Sequence, residues 1–336
     1  MQNLLEIEPS ETQTQTMISK ANDKRYDVGL FYTPTLGEMR KMVQRISRPG
    51  KLKITHAFGD VADKQSDPEN RYATFQVASQ FNCLEFVGPA VTPEHGVTGY
   101  INDRTQGPAC SISCGPATVF RNYFAKTRNK QYGQTKDDMI DCLRDVSKVL
   151  GNTNNSLYEV KGGYTLANNL QLKELNATLA DLKAADRIDE VRKALRVGVH
   201  EGVQVTSTKW GKSPVNNANQ KVTQVFASAC AVAYNLPTPP HMWKDFASLI
   251  LEASYEATLC AAIIAAHKNC GRDGSNKVFL TLLGGGVFGN DIEWIVNAIR
   301  TACQRYEDYA LDVRVVTYAG KPNSLLAEMV RRYNKE

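Results

Sequence analysis

Val278-Phe279-Leu280-Thr281-Leu282-Leu283, followed at once by Gly284-Gly285-Gly286-Val287-Phe288-Gly289-Asn290, is the stretch on which the fold turns. The apolar run is short and bounded by glycine, which suits a buried strand better than a helix. The periodic segment from Ile292 to Tyr306 then reads as a helix. At such a strand-to-helix junction, loop N–H groups and a helix N-terminus converge on anions. Glycine matters there because a side chain would hold the main chain away from the phosphate oxygens. A tight turn alone needs glycine where φ is positive; three in a row and then a fourth exceed that need, and predict a phosphate cradle.

Working outward, strands and helices alternate. Strands are predicted at Lys53 to Phe58, Tyr72 to Ala78, Gly202 to Ser207, Val222 to Ala233, Lys277 to Leu283 and Val313 to Tyr318. Helices are predicted at Leu36 to Ile46, Ala109 to Phe124, Thr135 to Leu150, Lys244 to His267 and Ile292 to Tyr306, with one broken near Asp186 between Leu170 and Leu195. This order predicts a layered α/β sheet covered on both faces. Residues 1–24, including Thr12-Gln13-Thr14-Gln15-Thr16, read as a mobile polar leader. Residues 25–336 read as a single domain with a helical insertion near 135–200.

Composition excludes several function classes. Lys and Arg number 40 against 35 Asp and Glu, a net charge of +5 without a basic block, which suits an anionic ligand but not a nucleic-acid surface. The apolar stretch near Leu259 to His267 is too short to span a bilayer, so no membrane partner is expected. The polar, acidic start has no secretory pattern, and the 8 cysteines lie mostly in apolar runs, which predicts a cytoplasmic, reducing setting. No pair has Cys-x-x-Cys spacing, and His56, His95, His200, His241 and His267 gather at no motif, so no metal site is expected.

Three phrases together resemble the macrodomain family: Gly59-Asp60-Val61 ending a strand, Phe75 to Asn82 running off the next strand, and the late loop Gly284 to Asn290. The resemblance implies a three-layer α/β/α fold with a central mixed sheet, and ADP-ribose as ligand with no further cofactor. By the same resemblance Asp60 and Val61 meet the adenine, Gln80 and Asn82 the distal ribose, and Gly284, Gly285, Gly286, Val287, Phe288, Gly289 and Asn290 the diphosphate. The phrases Ser79 to Glu85 and Asp103 to Ala109 are most similar to the MavL-type, arginine-specific ADP-ribosyl hydrolase branch. That branch implies an enzyme removing mono-ADP-ribose from protein arginine, with ADP-ribosylated protein, ubiquitin included, as partner. The family's first glycine triplet is absent; Gln106, Gly107, Pro108 and Ala109 stand in its place. Proline near a first turn costs little, so this helix start can offer a second set of amides.

Cleaving an N-glycosidic bond needs an activated water and stabilisation of an oxocarbenium-like centre, tasks for carboxylates. An arginine linkage asks for a further carboxylate to hold the guanidinium. Glu85, Asp103 and Asp291 adjoin the ligand loops and are the catalytic candidates, Asp291 first because it follows the phosphate loop directly. A helix cap explains Asp291 equally well. Two other functions compete: a non-catalytic ADP-ribose reader, which would share the binding features, and a dinucleotide oxidoreductase, suggested by the formal Gly-x-Gly-x-x-Gly match. The oxidoreductase needs that loop after its first strand and an acidic residue about 20 positions on, whereas here a single strand follows, ending Thr317-Tyr318-Ala319-Gly320.

Overall fold

In the computed structural model, which describes residues 4–8, 15–47, 49–129, 131–318 and 320–335, thirteen strands and ten α-helices alternate much as the sequence implies. The N-terminal part contains β1 (Leu5–Glu8), β2 (Gln15–Ser19), β3 (Arg25–Tyr32), α1 (Leu36–Val43), β4 (Lys53–Phe58), α2 (Val61–Ser66) and β5 (Thr74–Ala78). Next come α3 (Gln106–Ser113), α4 (Gly115–Tyr123), α5 (Arg144–Leu150), the hairpin β6 (Glu159–Lys161) and β7 (Tyr164–Leu166), α6 (Asn169–Ala184) and α7 (Ile188–Ala194). The chain ends with β8 (Gly198–Gln204), the short pair β9 (Ser207–Thr208) and β10 (Ser213–Pro214), β11 (Lys221–Ala227), α8 (Lys244–Lys268), β12 (Lys277–Leu280), α9 (Ile292–Arg305), β13 (Asp312–Thr317) and α10 (Ser324–Tyr333).

One mixed sheet of nine strands, in the order β1-β2-β3-β8-β11-β5-β12-β13-β4, forms the middle layer. β11, β5, β12, β13 and β4 run parallel, while β8, β3, β2 and β1 continue the sheet antiparallel. Side chains show that both faces are covered. Gln76 on β5 donates to Thr258 of α8, whereas Gln224, level with Phe75 on the neighbouring strand, donates to the Cys110 carbonyl of α3. Successive strand residues point to opposite faces, so α8 lies on one side and α3 on the other. On the α3 side Phe75 and Phe279 stack at 4.4 Å. This is the three-layer α/β/α arrangement with a mixed central sheet.

The helical span 240–268, which contains α8, is long and apolar enough to cross a membrane, although the apolar stretch near 259–267 was expected to be too short, and 94% of its most apolar window is buried inside the fold. It is apolar all round because it is a core helix. Its one buried carboxylate, Glu256, is held by Arg40 of α1 at 2.7 Å, which meets the requirement that a buried charge be paired.

The expected leader differs from what is observed. Its described residues form β1 and β2, an antiparallel ribbon at the sheet edge, while Thr12, Gln13 and Thr14 lie outside the described residues. An edge ribbon buries little, here Met17, so a polar composition conceals it. The helix expected over Thr135 to Leu150 shrinks to α5, because Gln134 Oε1 and Asp141 Oδ1 take the amides of Ile140 and Leu143 in a non-helical path. The helix expected over Ala109 to Phe124 is two helices meeting at Cys114. Pro116, in the first turn of α4, cannot continue the ladder of α3. Between α4 and β8 the chain forms α5, the β6–β7 hairpin, α6 and α7.

Candidate functional site

Because β5, β11 and β12 are parallel, their C-terminal ends, Ala78, Ala227 and Leu280, open on the same edge, where open α/β sheets place ligands. A cleft of ≈ 660 Å³ lies there, between the loop after β5, the start of α3, the loop after β12 and Tyr164 of β7. That volume suits a nucleotide-sized ligand.

The loop after β12 gives each glycine its own reason. Gly284 has φ +72 and a Cβ would stand 2.5 Å from the Ala229 side chain; Gly289 has φ +70 and would meet Ala233 at 2.9 Å. At Gly285 a Cβ would come within 2.9 Å of Ile295. Gly286 differs: its φ is ordinary, a Cβ there would find nothing within 4 Å, and it lines the cleft. No neighbouring protein atom demands glycine at Gly286. Asn290 closes the loop, donating to the carbonyls of Cys230 at 2.8 Å and Gly284 at 3.3 Å.

Opposite stands the first turn of α3. A Cβ on Gly107 would be 2.2 Å from the Ala78 carbonyl oxygen, so glycine lets the helix start against the strand end. Gln106, Gly107 and Pro108 line the cleft, and Ala109 is buried behind them. First-turn N–H groups lack intrahelical partners, and Thr105 at the cap makes no side-chain hydrogen bond to them. The Gln106 side chain accepts from the Val61 amide at 2.9 Å.

Glu85 is the buried carboxylate of the cleft, 3% exposed. The loop after β5 delivers it through its own bonds: Gln80 N donates to the Leu84 carbonyl, Gln80 Oε1 accepts from Phe86 N at 2.8 Å, and Asn82 Oδ1 accepts from Leu84 N at 3.1 Å. Burial pushes the Glu85 carboxyl up to about 7, the Asp103 charge adds to this, and Arg121 and the Ser111 hydroxyl oppose it. A carboxyl with that proton affinity can give and take a proton at neutral pH. Asp103 also lines the cleft, with Oδ1 accepting from Thr105 N at 3.0 Å.

The remaining expected contacts lie elsewhere. Asp60 is half-buried and outside the cleft lining; its Oδ1 accepts from Ala62 N at 2.8 Å, capping α2, and its Oδ2 accepts from Trp210 Nε1 at 2.9 Å. Asp291 is exposed, also outside the lining, and caps α9 through Glu293 N at 2.8 Å. Asn82 is fully buried and pins the β6–β7 hairpin through the Gly162 carbonyl. Gly285, Gly289 and Asn290 lie outside the cleft lining, while Gly284, Gly286, Val287 and Phe288 line the cleft, as does Gln80.

Sequence reasoning missed an aromatic wall. Tyr164, Tyr234 and Phe288 pack with ring centroids 5.0 to 5.7 Å apart and line the cleft together. Tyr164 belongs to a hairpin and Tyr234 to a proline-rich turn, and no local pattern marks either. Such a wall suits the flat, amphipathic face of a base or sugar. Among the described residues no group of His, Cys, Asp and Glu is arranged to hold a metal.

No family model matches the chain, and no curated protein matches it. Among solved structures it is similar to a poly(ADP-ribose) glycohydrolase from Deinococcus radiodurans in complex with ADP-ribose, at 14% identity and TM-score 0.45, covering 90% of this chain and 92% of that one. It is also similar to a poly(ADP-ribose) glycohydrolase from Thermomonospora curvata, at 12% identity and TM-score 0.39, covering 90% of this chain and 85% of that one. At these scores the likeness carries no argument about chemistry, which rests on the cleft itself.

Proposed function

We propose that the protein binds ADP-ribose in this cleft and hydrolyses it from a modified protein side chain. The observation that carries the reading is Glu85, a buried carboxyl titrating near neutrality in the same cleft as a glycine-rich loop and a helix start. The diphosphate would lie between Gly284 to Phe288 and the first turn of α3, where amides and helix dipole favour negative charge. The aromatic wall would flank the ribose or base.

In this reading Glu85, protonated in the resting enzyme, donates its proton to the leaving group as the bond to ribose C1 breaks. The charge left on Glu85, with that of Asp103, stabilises the oxocarbenium-like centre. Water then adds to C1 and returns one proton to Glu85, so the carboxyl ends as it began. We assign this role to Glu85 ahead of Asp291, whose carboxylate faces solvent and caps α9. The arginine linkage is the finer part of the proposal: Asp103 lines the cleft beside Glu85 and suits a guanidinium while Glu85 holds its proton. Ubiquitin as a carrier, and a cytoplasmic location, rest on the sequence reading alone.

The test is to incubate the protein with substrates mono-ADP-ribosylated on Arg, on Glu/Asp and on Ser, and with poly(ADP-ribose), following release of ADP-ribose. Release from the arginine-linked substrate, lost in Glu85→Gln, is expected. Release from another linkage only would correct the specificity. Binding of ADP-ribose without release from any substrate would make the protein a reader, and no heat of binding at millimolar ADP-ribose would remove the proposal.

A further inference from the structure

Arg121 of α4 is fully buried behind the cleft, and the proposed mechanism does not use it. Its guanidinium lies 3.7 Å from the ring centroid of Phe226 on β11, and Nε donates to the Cys83 carbonyl at 3.2 Å. Nη2 donates to Ser111 Oγ at 2.9 Å and approaches Thr118 Oγ1 at 3.3 Å, while standing 3.9 Å from Glu85 Oε1. Ser111 Oγ in turn donates to Glu85 Oε2. The direction of this chain is forced. A guanidinium has only donors, so Ser111 must accept from Arg121, and its single hydrogen is left for Glu85. Thr118 does not turn the chain round, since its own hydroxyl is engaged with the carbonyls of Ser111 and Cys114.

We propose that Arg121 and Ser111 are a positioning pair that confines the transferable proton of Glu85 to Oε1. With Oε2 committed to accepting from Ser111, a proton on Oε2 would set two hydrogens against each other. Oε1 has no hydrogen-bond partner among the described residues and is itself enclosed, with Arg121 Nη2 3.9 Å away, so it is the oxygen that receives no donated hydrogen and is left to carry the proton. The inference rests on the reading of Glu85 as the proton-transferring group. Other groups facing Glu85 are Asp103 before α3, Cys110 on α3, and Tyr100, whose phenol accepts from the Glu85 amide at 3.0 Å. His200 on β8 lies beyond Arg121 and is kept neutral by burial and by that cation. None of these donates a hydrogen bond to the carboxyl oxygens; the two differ in that Oε2 accepts from Ser111 while Oε1 has only the Arg121 charge 3.9 Å away.

The experiment uses the full chain with 13C-labelled glutamate carboxyls, the Glu85 signal being identified by its loss in Glu85→Gln. Its titration midpoint and the pH profile of kcat/KM are followed in wild type, Ser111→Ala and Arg121→Lys. Removing the hydroxyl withdraws a hydrogen bond that favours the carboxylate, so the midpoint and the limb it governs should both move up, by about one pH unit in Ser111→Ala. Arg121→Lys keeps the buried charge but loses the fork that orients Ser111, and should move both in the same direction; it also serves if Ser111→Ala does not fold. A merely structural role would lower activity without moving the midpoint. An unmoved midpoint in folded variants, with Glu85→Gln inactive, overturns the pair while sparing Glu85. Full activity in Glu85→Gln instead overturns the reading on which the pair rests.

Discussion

Glu85→Gln should stabilise the protein while disabling it, and the stabilisation should depend on pH. Folding raises the Glu85 carboxyl from its usual 4.5 to about 7. Below about pH 4 it is protonated in both folded and unfolded chains, and the difference has no effect. Between the two values the unfolded chain ionises while the folded one does not, so folding loses ground as pH rises. Above about pH 7 the loss is complete. Each tenfold change in proton affinity corresponds to about 1.4 kcal/mol, so the full penalty is about 3 kcal/mol. Glutamine, neutral at every pH, removes it. The amide leaves one N–H group short of a partner and so costs about 1 kcal/mol, but this offset does not vary with pH. The decisive quantity is the difference in melting temperature between variant and wild type. With an unfolding entropy of about 2 cal/mol/K per residue over 336 residues, that difference should grow in the variant's favour by about 4 °C between pH 4 and pH 8. Scanning calorimetry across that range checks it. A difference that stays flat would show that Glu85 ionises normally in the folded protein, and would refute the reasoning that makes it a proton carrier.

Further outcomes follow from the same geometry. Gly286→Val should abolish ADP-ribose binding in calorimetry with the melting temperature nearly unchanged, because a side chain there meets no protein atom and enters only the cleft. Gly289→Val should unfold the loop as well, since a β-branched residue would face both the positive φ and the Ala233 side chain; equal melting temperatures for the two variants would contradict this. Asp291→Ala should cost about 1 kcal/mol through the lost cap of α9 while turnover of bound substrate stays within about twofold; a hundredfold loss of turnover would restore it to the catalytic set. Tyr234→Ala should weaken ADP-ribose binding about tenfold by opening the aromatic wall, measured by titration, and unchanged affinity would place the ligand elsewhere in the cleft.

What the sequence revealed was what is local. The strand of residues 277–280, the glycines after it and the helix after those are contiguous, and periodicity with turn chemistry reads them directly. The same holds for β4, which begins and ends where its apolar pattern does, and for the break between α6 and α7 at Asp186, whose φ is +56. The β1–β2 ribbon was hidden because an edge hairpin is held by main-chain pairing that polar residues support as well as apolar ones. The short α5 was hidden because the competing bonds come from the side chains of Gln134 and Asp141. The aromatic wall was hidden because Tyr164, Tyr234 and Phe288 meet only after β7, the loop beyond β11 and the loop beyond β12 are brought to one edge.

The carboxylates divide along the same line. Asp60 and Asp291 stand out in the sequence because each follows a strand-end or glycine signal and precedes a helix, and that is also the pattern of an N-cap, the part both play. Glu85 is marked in the sequence only by its place in the loop after β5. What sets it apart is burial in a cleft beside a fully buried arginine, a relation between residues 36 positions apart that only the packed sheet produces. Burying an ionisable carboxyl is costly unless it is neutral or paired. Here burial outweighs the guanidinium at 3.9 Å, and Ser111 satisfies one oxygen only. A purely structural site would have closed that distance or replaced the carboxyl by an amide. Retaining a half-satisfied acid in a nucleotide-sized cleft is the arrangement that proton transfer needs, and it makes Glu85 the residue on which the functional reading stands or falls.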